Sequence, residues 1–511
     1  MPERFKLAYL GAGSFRFSIG FFRNIVNAVE LMPLQVALCD IDAKSLELMT
    51  TIFKKMVAKA ANVKSVKKRA EKLNGYDIEI TATTDRHEAL ANADIVFKSI
   101  SIGLQESEWI DNYVPLKFGI PQNTGDTVGP GGLFRNLRTD PVAAAIALDM
   151  RELCPKAPML SYTNPQTALV LAARTAAPDV QFIGLCHELF DGMKTMRRYF
   201  GSKHGIHTKS WEDFDIEYGG VNHFAFLTKL EYKGQDLYPK LRADAHQLTI
   251  QRAYHRGFCF HMLEQYGNFC YIEDRHPAEF MPEYFNYFNH LKKDQCSYWS
   301  FPEVRSVHRV KLERKGAYWW FRQMARGTLP VMGPRKQGER AMEMTLDWKS
   351  NTPTHHVVNI PNNGIIPELP DDCVVETTAY FNDGEITPVG TIHLPEQIAA
   401  LVRPHAEEQR LVADAALGNS YDLVLKAMLH EPMCAFIEDD DKIEFLTNLM
   451  LFYERDWLPE EWREWIPAED ELKQSPWWVD RKDLAKAGDR YKQVKFPPRE
   501  DLKTKAFFWK E

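Results

Sequence analysis

A largely apolar strand, Lys6–Leu10, ends in the turn Gly11-Ala12-Gly13-Ser14-Phe15-Arg16, and a helix is expected directly after it over Ser18–Val29. Few folds accept that passage. The glycines let the chain reverse sharply and let a ligand approach the backbone. The helix that follows offers free N–H groups and the positive end of its dipole. A second strand, Val36–Cys39, ends at Asp40. The alternation continues with a helix over Lys44–Leu73, a strand over Asp77–Thr81, a helical turn at His87–Ala91 and a strand over Asp94–Ile100. A helix over Pro141–Leu153 and strands over Met159–Tyr162 and Phe182–Leu185 complete the pattern. Strands separated by helices imply right-handed crossovers and a parallel sheet.

The N-terminal half is therefore expected to be an α/β, Rossmann-type doubly wound domain. In it, Gly11, Gly13, Ser14, Phe15 and Arg16 would face the pyrophosphate of a dinucleotide. Asp40 stands about where a ribose-binding carboxylate belongs, and a carboxylate there favours NAD by repelling a 2′-phosphate. Arg16 occupies the place of the third glycine of the usual fingerprint. The alternative is a Rossmann-like fold that has lost its cofactor.

Composition narrows the class. The chain has 511 residues, 45% of them hydrophobic and 26% charged, which suits a globular protein of about two to four domains. No run of about 18 apolar residues occurs, so no membrane-spanning helix is expected. A net charge of −7 argues against a nucleic-acid binder, and the basic face of Lys54–Lys72 is expected to be solvated. The first residues do not resemble a signal peptide, and eight irregularly spaced cysteines suggest reduced thiols. A cytoplasmic location is expected.

Three parts are expected: residues 1–200 for the nucleotide domain, 201–436 for an α+β domain, and 437–511 for an extension. In the second part, strands are expected at Asp215–Tyr218 and Ala225–Glu231, with helices at His246–Tyr266 and Glu396–Gly418, the latter kinked or broken at Pro404. An insertion near 294–352 is expected to be helical or looped. The extension holds six of the twelve tryptophans, at 457, 462, 465, 477, 478 and 509. It is expected to wrap the body or a neighbouring subunit in preference to forming a carbohydrate platform.

Three polar clusters follow strands or precede a helix: Asn123-Thr124-Gly125-Asp126-Thr127-Val128-Gly129-Pro130-Gly131-Gly132 with Phe134-Arg135-Asn136-Leu137-Arg138-Thr139; Tyr162-Thr163-Asn164-Pro165; and Gly184-Leu185-Cys186-His187-Glu188. Carboxyl ends of parallel strands are where such sheets bind ligands. Gly220-Val221-Asn222-His223 and Asp274-Arg275-His276-Pro277-Ala278-Glu279-Phe280 come later. Cys186 and His223 could give a thiolate and an imidazole to one divalent metal, leaving positions open for substrate. On spacing alone, a core cysteine and a hydrogen-bonded histidine are the commoner reading.

In this order, the GAGS turn, CDID, NTGDTVGPGG…FRNLRT, YTNP, GLCHE, GVNH and DRHPAEF resemble glycoside hydrolase family 4, the NAD- and divalent-metal-dependent glycosidases. The resemblance covers roughly residues 5–435, and the CHE, GDTVGPGG and DRHxAEF versions look most like the α-galacturonidase branch. It implies a C-terminal α+β domain like those of lactate and malate dehydrogenases. It implies Mn²⁺ on Cys186 and His223, with Asn164 at substrate and metal. It also implies a reaction in which NAD⁺ oxidises C3 of the sugar, the metal helps acidify C2, and the glycosidic bond breaks by elimination. Water then adds and NADH returns the hydride. The position after the metal cysteine, an Asp acid in some members, is His187 here, so the acid is His187 or Glu188. Where some members have a Tyr base this chain has Asp274-Arg275-His276, leaving Asp274 or His276. A structural turn network is the alternative for His276 and Glu279. Arg275 and Arg135 are candidates for a uronate carboxylate.

The partners implied are a small glycoside or oligosaccharide and a second copy of the chain, in a homodimer or homotetramer. Within the family, α-glucosidase, α-galactosidase and α-glucuronidase activities stay open. Outside it, a plain NAD-dependent sugar-acid dehydrogenase would release NADH stoichiometrically, and a non-catalytic NAD sensor would need none of the polar clusters.

Overall fold

The computed structural model describes residues 4–484 apart from 74, 121, 123, 252, 283–306, 336–339, 353 and 383. The strands, in chain order, are β1 (Phe5–Leu10), β2 (Leu34–Cys39), β3 (Ile78–Thr83), β4 (Ile95–Lys98), β5 (Met159–Ser161), β6 (Phe182–Gly184), β7 (Asp215–Val221), β8 (Phe224–Tyr232), β9 (Gln235–Asp236), β10 (Thr354–Pro361), β11 (Val374–Asn382) and β12 (Glu385–Pro388). The first six are parallel in the order β3-β2-β1-β4-β5-β6. This is the doubly wound α/β arrangement that the strand–helix alternation requires.

The period of two along β1 divides the core. Leu7 and Tyr9 face a cluster holding Phe21, Phe22 and Phe53, while Ala8 and Leu10 face one holding Ile146, Met150, Leu169 and Val170. The sheet does not stop at β6. Gly184 pairs antiparallel with Asn359 of β10, and the order runs on through β11, β7, β8 and β9. The antiparallel half is thus continuous with the parallel half, and helices cover it.

Several expected boundaries move. The helix expected over Lys44–Leu73 is two, Ala43–Ala61 and Lys64–Ala70, because Asn62 Nδ2 donates to Ala58 O and Val63 is extended. The segment His246–Tyr266 breaks at Tyr254, whose φ is 59°, and restarts as the helix Gly257–Tyr266. The helix expected from Pro141 begins at Gly129 and runs to Leu153. Glu396–Gly418 passes through Pro404 unbroken. Its buried face, including Ile398, Val402 and Val412, holds it against Gly129–Leu153 and Gln166–Ala176, so packing outweighs one lost backbone hydrogen bond.

Residues 294–306 and 336–339 of the expected insertion lie outside the described residues. Its helices Val307–Arg326 and Ala341–Ser350 are described. The first lies on Ala43–Ala61, and Tyr318 and Phe321 bring their rings to 5.7 and 5.3 Å from Phe15 in the glycine turn. The extension packs on the body: Asp440–Glu454 contacts the helix Leu104–Lys117, and Trp462 is fully buried. Trp465 stacks on Tyr421, Trp477 meets Phe445 and Trp478 meets Tyr453. Trp509 lies outside the described residues. No described helix is long and apolar enough to cross a membrane.

Candidate active site

The glycine turn is built from the ends of β1 and β2. The N–H groups of Gly11 and Ala12 both donate to Cys39 O, at 2.9 and 3.0 Å. Gly11 has φ 91°, and a Cβ on it would overlap Ser99 O, so no other residue fits. Asp40 accepts from Gly13 N at 2.8 Å and from Asp42 N at 2.9 Å. Burial raises its carboxyl above the usual range. Ser14 Oγ accepts from Phe17 N at 3.3 Å, Phe15 lies under the Val307–Arg326 helix, and Arg16 is exposed.

The second constellation gathers residues distant in sequence. Ligand atoms of Asp126, His223 and His276 all lie within 4.8 Å of one another. The rings of His223 and His276 stack with centroids 3.8 Å apart. His223 sits in the two-residue turn between β7 and β8 with φ 68°, a left-handed conformation uncommon for residues other than glycine. Burial lowers His223 to about 4 and drives His276 well below its ordinary value. His276 Nδ1 is buried and has no hydrogen-bond partner. Burial alone would raise Asp126, but His276, His223 and Arg135 outweigh it and hold the carboxyl well below its usual range.

Asp126 is itself anchored. Oδ1 accepts from Thr127 Oγ1 at 2.8 Å and Oδ2 from Asn164 Nδ2 at 3.2 Å. Arg135 Nε donates to Asn164 O at 3.1 Å. Three of the expected residues, His223, His276 and Asn164, therefore meet at a carboxylate that the motif reading did not single out as a ligand. The signal was present, since Asp126 is the one acid in the glycine-rich run.

Cys186 is not a member of that three-residue group. It is half-buried, and burial with the carboxylates Glu376 and Glu188 pushes its thiol well above the ordinary range, against the pull of Glu188 N–H and the Asn222 side chain. Glu376 has no sequence motif. It is fully buried on β11, where it accepts from the Tyr271 hydroxyl, from Asn222 Nδ2 at 3.0 Å and from Asn359 Nδ2 at 3.2 Å. Asn222 thus sits between the Cys186 thiol and Glu376, one residue before His223.

Two of the four acid–base candidates accept backbone N–H groups. Asp274, 1% exposed and raised to about 7 by burial, accepts the N–H groups of Phe258 and Cys259, both at 2.9 Å, at the start of the Gly257–Tyr266 helix. A carboxylate so engaged anchors the start of that helix. Glu188 is buried, and Oε2 accepts Glu273 N at 2.8 Å, so it anchors the same segment. His187 is open to solvent, with Nε2 3.8 Å from Glu188 Oε1. Arg275 is exposed and pairs with Glu273 at 3.1 Å, and its charge helps lower both His223 and His276. Glu279 ties down the turn before Asp126: it accepts Thr124 N at 2.7 Å and Gly125 N at 3.1 Å on Oε1, and Thr124 Oγ1 at 2.9 Å on Oε2.

A doubly wound sheet that presents a glycine turn and a carboxylate–imidazole cluster along one edge defines a class. Residues 6–201 match the family 4 glycosyl hydrolases and residues 218–434 match the C-terminal domain of that family. The chain belongs to this family, and by that membership it is a glycoside hydrolase. Among its relatives, an α-galactosidase of Bacillus subtilis (strain 168) is 29% identical over 461 residues, covering 89% of this chain and 99% of the relative. An α-galacturonidase of the same organism is 28% identical over 465 residues, covering 88% and 97%. A solved structure of a putative glucosidase from Bacillus subtilis superposes with a TM-score of 0.76 at 27% identity, covering 88% of this chain and 100% of that one. A 6-phospho-α-glucosidase from gut microorganisms, crystallised with NAD and Mn²⁺, shares the fold with a TM-score of 0.71 at 21% identity, covering 90% and 100%.

Proposed function

We propose that this glycoside hydrolase is an NAD- and divalent-metal-dependent α-galacturonidase. The observation that carries the proposal is the Asp126–His223–His276 cluster, with both imidazoles buried, beside two arginines in a chain that also holds a dinucleotide turn. The donor set suits Mn²⁺ or a similar ion: one carboxylate and two neutral imidazoles, with a buried Nδ1 on His276 that no protein group satisfies. Cys186, whose thiol meets the side chain of Asn222 next to His223 in sequence, would be a further donor for that ion. The turn residues Gly11, Gly13 and Ser14, with Asp40, would hold NAD. When bound, the metal supplies Lewis acidity and the nicotinamide supplies a hydride acceptor.

The chain's own residues do the rest. Asn164 and Arg135 fix one side of the cluster by the contacts given above. His187, an exposed imidazole with Nε2 3.8 Å from Glu188 Oε1, would pass a proton to the leaving oxygen. Arg275, exposed and paired with Glu273, is the guanidinium that would receive a sugar carboxylate. The names of the galacturonidase relatives support a uronide. The setting expected for this enzyme is the cytoplasm, as a homodimer or homotetramer.

A second reading, α-galactosidase, is favoured by the 29% identical relative of that name. The test compares p-nitrophenyl α-D-galacturonide with the α-galactoside, α-glucoside and α-glucuronide, with NAD⁺, Mn²⁺ and reductant, and with each omitted. Galacturonide cleavage that disappears without NAD⁺ supports the proposal. Preference for the galactoside overturns the substrate. Cleavage indifferent to NAD⁺ and metal overturns the cofactors.

A further inference from the structure

Thr127, the partner of Asp126, also touches the neighbouring imidazole. Its Oγ1 is 2.8 Å from Asp126 Oδ1 and 2.8 Å from His223 Nδ1. A hydroxyl carries one proton and can donate it once. If that proton went to His223, Oγ1 and Oδ1 would face each other as two acceptors in a site where Thr127 is 2% exposed and His223 4%. A buried contact between two lone pairs is costly, and Asp126 Oδ2 already has its own donor in Asn164.

We propose that Thr127 is a positioning residue: it donates to Asp126, accepts from His223 Nδ1–H, and so fixes His223 as the tautomer whose only lone pair is on Nε2. That nitrogen is then the one available to a cation, a proton or a substrate hydroxyl. Two further features hold the ring in place. His223 is pinned in a tight turn by the Val221–Phe224 pair, and its ring is stacked on His276. The Asp126–Thr127 step is in turn clamped by Glu279 through Thr124 and Gly125. In so far as it concerns a metal, the inference rests on the function proposed above.

The test uses the full-length protein, metal-free, with ¹⁵N-labelled histidine, and His223→Gln to assign the resonance. The nitrogen shifts of His223 should show Nδ1 protonated and Nε2 unprotonated. Thr127→Val keeps the shape and removes the hydroxyl. It should convert the resonance to a mixture of tautomers or to the other form, and Thr127→Ser should restore it. Direct titration of Mn²⁺ should show binding weakened about 10–100-fold by Thr127→Val, in line with lost outer-shell partners of metal-bound histidines. Thr127→Ser should recover it, and NAD⁺ affinity should be unchanged in both. A wild-type spectrum with Nε2 protonated overturns the proposal even if no variant folds, and so does a Thr127→Val spectrum identical to wild type. A wild-type protein that binds no Mn²⁺ but shows the expected, Thr127-dependent tautomer supports this proposal and overturns the metal reading alone.

Discussion

Glu279 is the residue whose removal separates anchoring from chemistry. Both N–H groups of Thr124 and Gly125 end on a single oxygen, Oε1, and the Thr124 hydroxyl ends on the other. In Glu279→Ala the hydroxyl can rotate, but the two backbone donors have nowhere to go. At about 1–3 kcal/mol for each donor left unsatisfied, the loop carrying Asp126 and Thr127 loses roughly 4 kcal/mol of anchoring. That energy must surface in one of two places. If the loop stays put, the urea midpoint falls by the equivalent of about 4 kcal/mol. If the loop lets go, kcat/KM falls by up to about a thousandfold at unchanged global stability. Urea unfolding and steady-state kinetics on one preparation read both. Glu279→Gln should be mild, within about 1 kcal/mol on each axis, because its carbonyl oxygen can keep both N–H groups and its amide can donate to Thr124 Oγ1. Burial raises the Glu279 carboxyl to about 7. The folded value lies above the unfolded one, so the stability it contributes is complete at low pH and is lost as pH rises through about 7. Glu279→Gln should flatten that decline. An alanine variant with wild-type midpoint and wild-type kcat/KM, or a glutamine variant as damaged as alanine, would refute the reasoning.

Other consequences are as direct. Arg138 is buried between Asp111, which it grips with two nitrogens at 2.9 and 2.8 Å, and Glu454; Arg138→Leu strands two buried acids and should cost about 3–5 kcal/mol by urea unfolding, and an unchanged midpoint would contradict this. Gly11→Ala forces a side chain into Ser99 O at φ 91° and should weaken NADH binding, followed by fluorescence, by about tenfold or more; equal affinity would remove the turn from the cofactor site. Lys98 is fully buried and pushed down to about 7 by burial, its charge eased by Asp140. Its folded value lies below its unfolded one, so stability should rise as pH climbs from about 7 towards 10. Lys98→Met should abolish that rise, and a slope that survives the substitution would assign it to other groups.

How much of this could be read in advance depends on where each signal resides. The parallel strands announce themselves as short, largely apolar runs, and β1, β2, β4, β5 and β6 fall within a residue or two of expectation. The start of the helix Gly129–Leu153 does not, because Gly-Pro-Gly-Gly has the composition of a loop. Glycine is needed there for space. A Cβ on Gly131 would lie 2.6 Å from Asp111 O, and one on Gly132 2.5 Å from the Thr127 carbonyl carbon, so close packing overrides helix propensity. The site was legible as a set of motifs but not as a geometry. His223, His276 and Asn164 were recognisable, whereas the anchoring duties of Asp274 and Glu188 depend on which backbone amides come within reach. Glu376 and Glu454 were invisible, since each serves a residue far away in sequence and stands in no pattern of its own.

The single register pair that joins Gly184 to Asn359 has a consequence for how the chain is made. A ribosome releases β6 long before β10, because everything from Leu185 to residue 353 must be translated in between. At about 5–20 residues per second that is on the order of ten to thirty seconds. Throughout that interval the nascent nucleotide domain carries an open strand edge, the kind of surface to which other chains add. The helices and the β7–β9 hairpins made in the meantime cannot close it, because β7 reaches the sheet only through β11. A chain truncated before β10 would therefore keep the β6 edge unpaired.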